Sequence, residues 1–180
     1  LGGWEPPLGI ALRADGLSAT LMAMTALVTC AVGLFAHGAF GTQPSKVEAR
    51  GPAVFWVLTL GLLSALNSVF LGQDLFNLFV ALELLTFSAV PLVCLDGRRE
   101  TLQAALRYLL FALLGSVLYL IGAALLYGAY GMLDLAALRS VARNDLATSV
   151  ALGLMIVGLM AKAALFPLHL WLPPAHAGAP

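Results

Sequence analysis

Two charged residues, Glu83 and Lys162, are placed where charge is unusual. The sequence has nine Lys or Arg and nine Asp or Glu residues, and only this pair falls near the centre of apolar segments long enough to span a bilayer. Placing one charge at mid-membrane costs about 2.5 to 3.5 kcal/mol on insertion scales, so such residues pair, line a wet cavity or carry ions. One carboxylate and one amine at membrane depth therefore predict either proton transfer or a buried ion pair.

The chemistry open to these two groups is proton exchange. Burial and a nearby opposite charge act in opposite directions on the proton affinity of each group, and close contact makes the protonation of one depend on the other. Coupling of this kind is what a proton pump or antiporter needs. The alternative is a salt bridge between Glu83 and Lys162 that only holds two helices together.

Pro167 follows Lys162 by five residues. A proline inside a helix removes one backbone hydrogen bond, here to the carbonyl of Ala163, so we expect the helix to break beside the lysine. Transport proteins place such interruptions at ion sites, because non-helical backbone at membrane depth must be buried in protein or line a water-filled cavity. The spacing therefore predicts local hydration around Lys162.

Three further residues are candidates for a proton relay to the cytoplasmic side. His169 and His176 follow the break seven residues apart, and imidazole titrates near neutral pH. Arg107 lies one turn into the fourth predicted span. The alternative for the histidines is anchoring at the membrane interface, where Trp171 is also predicted to lie. The alternative for Arg107 is that its side chain extends to the interface.

The elements that position these residues are predicted to be membrane-spanning helices. The chain is 61% hydrophobic and 10% charged, with a mean hydropathy of +0.97, which is typical of an integral membrane protein. About 20 apolar residues cross the bilayer as a helix. We predict an all-α polytopic helix bundle forming one membrane domain over residues 1–180, its last span broken near Lys162 and Pro167. The five predicted spans are 16–37, 53–72, 75–95, 104–130 and 148–172.

Small and capping residues predict how the helices meet. Asp74, in the short link between the second and third spans, is suited to cap the helix that carries Glu83. Small residues allow close approach of membrane helices, and those predicted to do so are Gly61, Gly115, Ser116, Gly122, Gly153 and Gly158.

The composition also excludes several function classes. Net charge is zero and no basic cluster exceeds Arg98-Arg99, which argues against nucleic-acid binding. Cys30 and Cys94 are single residues in different spans, so we expect no metal site and no cofactor. Because no GxGxxG or CxxCH motif is present, any NADH dehydrogenase (quinone) activity would belong to a larger complex rather than to this chain.

Two sequence runs carry a family resemblance: DLFNLFVALE at residues 74–83, and KAALFPLHLWLPPAH at residues 162–176. Their combined spacing resembles the proton-conducting antiporter-like membrane subunits of respiratory complex I, membrane hydrogenases and Mrp-type cation/proton antiporters. The run at residues 2–10 makes the D-type subunits of the Mrp-type antiporters the most similar branch.

The resemblance implies a fold, a site and partners. It corresponds to the middle helices of a larger subunit, so the chain is interpreted as a fragment. It pairs Glu83 and Lys162 in one half-channel for protons. It also implies other membrane subunits as partners, Na⁺ or K⁺ as the exchanged ion, and a multi-pass location in a prokaryotic plasma membrane. Alternatives are a proton-pumping subunit of NADH:quinone oxidoreductase or a membrane hydrogenase, and a non-conducting structural subunit.

Overall fold

The fold is built from helices throughout the described part of the chain. The computed structural model describes residues 3–4, 9–41, 50–177 and 179. Two isolated β-bridges, Leu12 with Gly72 and Asp74 with Asp134, are the non-helical pairings within these ranges. The helices are α1 (Gly16–Gly41), α2 (Arg50–Leu71), α3 (Leu75–Val93), α4 (Arg99–Tyr130), α5 (Leu135–Val141), α6 (Leu146–Lys162) and α7 (Leu172–Ala177).

The predicted all-α membrane fold is confirmed. Helices α1 to α4 are long and apolar enough to cross a membrane. Helix α6 is apolar but has only 17 residues, or roughly 25 Å at 1.5 Å per residue. The fifth predicted span, 148–172, is therefore divided into α6, a non-helical segment and α7. Helix α4 begins at Arg99, earlier than the predicted residue 104, because its first turn is helical but polar apart from Leu102 and so lies outside the apolar run.

Aspartates cap α3, α5 and α6, including the two helices that carry the predicted charged pair. The Asp74 carboxylate accepts hydrogen bonds of 2.9 Å from the backbone amides of Phe76 and Asn77, as the capping prediction required. Asp145 does the same for α6, accepting from the Thr148 amide at 2.8 Å. Each cap satisfies amides that have no partner within the helix, which fixes the start of the helices that carry Glu83 and Lys162.

Helices α4 and α6 approach each other most closely through glycine. A Cβ added to Gly115 would lie 2.6 Å from the carbonyl oxygen of Gly158, and one added to Gly158 would lie 2.4 Å from that of Gly115. Gly122 is similarly close to the backbone of Ala151. The predicted close approach is thus seen at these three glycines and at Gly61, where an added Cβ would lie 2.8 Å from Ser88 Oγ. Gly153 has no neighbour within 4 Å of such a Cβ among the described residues.

A substitution pair within α6 tests this contact. Gly158→Ala should lower the stability of the subunit in detergent by about 1 to 3 kcal/mol, because backbone atoms rather than a flexible side chain occupy the space. Gly153→Ala, in the same helix, should leave the melting temperature unchanged or raise it, since alanine has the higher helix propensity. Equal melting temperatures for the two variants would contradict the close packing.

The Asp145 cap predicts a pH dependence at the start of α6. The Thr148 amide, and to a smaller extent the Thr148 hydroxyl, hold the pKa of Asp145 below its usual 3.8. Because the folded-state pKa is lowered, the stabilisation is present above the unfolded pKa and is lost as pH falls through the folded one. Protection of the Thr148 amide from hydrogen exchange should therefore decrease below about pH 4. Asp145→Ala should lack this decrease, and constant protection from pH 6 to 3 in the wild type would disprove it.

Candidate functional site

The site forms where α3 meets the end of α6. Glu83 lies in the interior of α3 and Lys162 is the last residue of α6. The Lys162 Nζ is 3.2 Å from Glu83 Oε1, and the two side chains are only 10% and 16% exposed. The structure thus brings together the two charges that the sequence places at membrane depth.

Lys162 has an acceptor for each of its three protons. Besides Glu83, its Nζ donates to the Leu82 carbonyl oxygen at 2.9 Å and to Thr86 Oγ1 at 2.8 Å. Thr86 is 1% exposed, so its hydroxyl is an internal partner rather than a surface contact. An ammonium with three acceptors is satisfied without bulk water, and all three acceptors belong to consecutive turns of α3.

Helix α4 contacts Glu83, the other member of the pair. The Ser116 hydroxyl donates to Glu83 Oε1 and also lies 3.0 Å from the Ala112 carbonyl oxygen. The preceding residue, Gly115, has no side chain, and a Cβ added to it would lie 3.3 Å from the Lys162 side chain. The close contact between α4 and α6 therefore brings a carboxylate, a hydroxyl and an ammonium within one small site.

The helix break falls at Lys162 itself. Ala163 ends the helix, Ala164 has a positive φ of 51°, and the Leu165 amide donates to the Met160 carbonyl oxygen at 3.0 Å. The predicted break is confirmed, although the helix already ends four residues before the cis Phe166-Pro167 bond. Ending the helix here places the ammonium at the negative end of the α6 dipole, which favours a positive charge.

A half-open cavity of about 280 Å³ lies beside the pair. A water molecule needs only about 10 to 15 Å³ of such space, together with polar partners. The cavity provides room for water next to Lys162, where the sequence predicted hydration. Its lining residues are Leu82, Leu85, Thr86, Tyr108, Ala112, Leu159, Lys162 and Ala163.

The predicted relay residues do not contact the Glu83–Lys162 pair in the described part of the chain. Arg107 is exposed on α4. His169 is partly buried, its ring centroid 5.6 Å from that of Phe166, and its Nδ1 atom has no hydrogen-bond partner among the described residues. His176 is exposed, with Nδ1 3.1 Å from the Leu172 carbonyl oxygen.

Trp171 is buried within the protein. It was predicted to lie at the level of the membrane interface, and it is only 4% exposed. Its indole N–H donates to the Ala161 carbonyl oxygen at 3.1 Å, and its ring stacks on Tyr108 with centroids 4.3 Å apart. The chain turns back after the break and places this ring against α4, so Trp171 packs inside the protein. Its depth in the membrane stays a prediction.

The family model described as NADH:quinone oxidoreductase/Mrp antiporter, TM, matches residues 72–180, which is more than half of the chain and includes α3 to α7. The chain belongs to this family. The resemblance seen in the two sequence runs is thereby confirmed, and the membership together with the four long apolar helices makes the chain part of a multi-pass membrane protein.

Two relatives in this antiporter family span all of the chain. A D-type subunit of the Na(+)/H(+) antiporter of Bacillus subtilis is 33% identical over 184 residues, and an N-type subunit of the NADH-quinone oxidoreductase of Desulforudis audaxviator is 35% identical over 183 residues. The chain covers 36% of the length of each. These bacterial relatives support the predicted location in a prokaryotic plasma membrane.

Solved structures from the same family share the fold. The chain superimposes on the archaeal membrane-bound sulfane sulfur reductase complex with a TM-score of 0.83 and 33% identity, covering 99% of this chain and 36% of that one. For the Mrp complex of Dietzia the TM-score is 0.78 and the identity 30%, covering 99% and 33%. The helix arrangement around Glu83 and Lys162 thus lies in a fold seen in both complexes.

Thr86 lies one turn from Glu83 on α3, and its contact with Lys162 can be tested. Thr86→Val keeps the shape but leaves one ammonium proton without an acceptor, so we expect a loss of about 1.5 to 3 kcal/mol of stability. Thr86→Ser retains the hydroxyl and should lie close to the wild type. The measurement is unfolding of the detergent-solubilised subunit, and equal stability of the valine and serine variants would rule the contact out.

Proposed function

We propose that the chain supplies a proton-translocating site of a membrane subunit in a multisubunit monovalent cation/proton antiporter. The observation that carries the proposal is the contact between Glu83 and Lys162, which joins a mid-helix carboxylate to the ammonium at a helix break, beside a cavity with room for water. A buried ionisable pair at membrane depth is the arrangement expected of a proton carrier.

Lys162 carries the proton in this proposal and Glu83 sets its affinity. With Glu83 ionised, the ammonium is held by the carboxylate, Thr86 and the Leu82 carbonyl. When Lys162 releases a proton to water in the cavity, the neutral amine no longer balances the Glu83 charge. The carboxylate then takes up a proton or attracts another cation, so that the two groups titrate as a coupled pair.

The histidines and Arg107 extend the route to the cytoplasmic side in the same proposal. His169 lies seven residues beyond Lys162 on the segment that follows the break, and its buried Nδ1 is suited to bind a water molecule. His176 and Arg107 are exposed, so an imidazole at this position can pass a proton to water, whereas the Arg107 guanidinium stays protonated and serves the route only by orienting water. These assignments rest on position and chemistry rather than on contacts with the pair.

The names of the relatives support a proposal for the exchanged ion and the partners. Proteins similar to this chain are named as D-type subunits of a Na(+)/H(+) antiporter in Bacillus subtilis and of a probable K(+)/H(+) antiporter in Rhizobium meliloti, 33% and 34% identical. We therefore propose Na⁺ or K⁺ as the exchanged ion and other membrane subunits as partners. Both belong to the whole protein, since the chain spans about a third of the length of these relatives.

A second candidate is a proton-pumping subunit of a redox-driven complex. The similarity to the N-type subunit of NADH-quinone oxidoreductase and to the sulfane sulfur reductase complex favours it. The same buried pair serves both functions, and only the driving reaction differs. A cation gradient that drives proton flux in vesicles supports antiport, whereas flux that requires quinone or sulfur reduction supports the redox-driven complex.

Substitution of the pair tests its role in transport. In the full complex reconstituted in vesicles, Lys162→Ala and Glu83→Gln should each reduce proton flux by roughly 100-fold or more, the scale of losing a positioned acid or base. A pH-sensitive dye inside the vesicles reports the flux.

Measuring the amount of assembled complex distinguishes a role of the pair in transport from a purely structural ion pair. Asp96→Asn is the matched control, because it neutralises the carboxylate of an ion pair with Arg98 in the exposed loop before α4. It should leave both flux and assembly unchanged. Normal flux in Lys162→Ala, or flux lost only in proportion to lost assembly, would reduce the buried pair to a contact between helices.

A further inference from the structure

The carbonyl of Ala161 has an unusual partner. In a continuing helix it would accept from the Leu165 amide, but that amide donates to the Met160 carbonyl oxygen. The Ala164 amide is 3.3 Å away, while the Trp171 indole N–H donates to it at 3.1 Å. The backbone partners of this carbonyl at the break are the Ala164 amide and the Ala163 amide, which also donates to the Leu159 carbonyl oxygen at 2.8 Å. Trp171, ten positions further along the chain, thus adds a side-chain donor to a carbonyl at the helix end.

The same indole ring also contacts α4. It stacks on Tyr108 with an interplanar angle of 6° and a centroid separation of 4.3 Å. Tyr108 lines the cavity that Lys162 also lines. Trp171 therefore joins two elements at once, the end of α6 through its N–H and the cavity wall on α4 through its ring.

The position of Lys162 depends on where α6 ends. Ala161 directly precedes Lys162, and the three acceptors of the ammonium lie on α3 at 2.8 to 3.2 Å. The lysine side chain is long and flexible, so a shift of the helix end changes which of these acceptors it reaches. Proton transfer requires that the donor and acceptor atoms stay within hydrogen-bond reach.

We propose that Trp171 is a positioning residue for proton transfer, which holds Lys162 against Glu83 through the Ala161 carbonyl without touching either side chain. The inference rests on the proposed function of the pair. In this proposal the indole N–H holds the Ala161 carbonyl, and this role is separate from the packing of the ring. Removal of the N–H alone should therefore impair flux even when the ring still stacks on Tyr108.

The test uses two changes at residue 171 in the full complex in vesicles. Trp171→Phe removes the N–H and part of the ring, and replacement by benzothienylalanine keeps the bicyclic shape while substituting sulfur for N–H. Each should lower proton flux per assembled complex by roughly tenfold, less than the roughly 100-fold expected for a displacement of 1 Å at a reacting centre. The pH at half-maximal flux should also move, because the acceptors around Lys162 change.

Two controls make the outcome decisive. Trp56→Phe, in α2 where the ring packs near Gly33, should keep wild-type flux and pH profile. Lys162→Ala, measured in parallel, tests the underlying function. Normal flux in Lys162→Ala would contradict the proposed function. If Lys162→Ala loses flux but the benzothienylalanine variant keeps wild-type flux, only the role of Trp171 is contradicted. Failure of both residue 171 variants to assemble would overturn positioning and make Trp171 a residue needed for folding.

Discussion

The satisfaction of one buried ammonium is the constraint on which the rest of the site depends. Lys162 is buried where charge is poorly solvated, and its Nζ donates hydrogen bonds to three acceptors on α3 that replace water. Only one is a formal charge. A backbone carbonyl and the Thr86 hydroxyl provide the other two, so two of the three partners of the ammonium are uncharged groups.

Close helix packing is the means by which the site is held together. Helix α4 packs on α3, where Ser116 meets the Glu83 carboxylate, and its glycine contact with α6 holds the end of α6 where Lys162 reaches the same oxygen. A larger side chain at Gly115 would meet both the facing backbone and the lysine stem. Packing and electrostatics therefore depend on each other, because the distance between two helices sets the distance between a charge and its partner.

The sequence predicted the membrane fold, the capping role of Asp74 and the interruption beside Lys162, because these depend on composition and on local spacing. It also singled out Glu83 and Lys162, since charge is rare within apolar spans. The Leu82 carbonyl was not predicted, because every residue has one and only the fold selects it. The burial of Trp171 against Tyr108 was not predicted, because a helix break changes the direction of the chain and the new direction depends on contacts far earlier in the sequence.

The order of the two charges along the chain has a consequence for membrane insertion. Glu83 precedes Lys162 by 79 residues and Ser116 follows it by 33. A ribosome therefore delivers the carboxylate to the bilayer well before its cationic partner exists. During that interval the apolar residues of α3 must offset an uncompensated acid, or the acid must enter protonated. Ser116 is synthesised next and is the first partner available to it, so the hairpin of α3 and α4 is the earliest unit in which Glu83 has a hydrogen-bond donor.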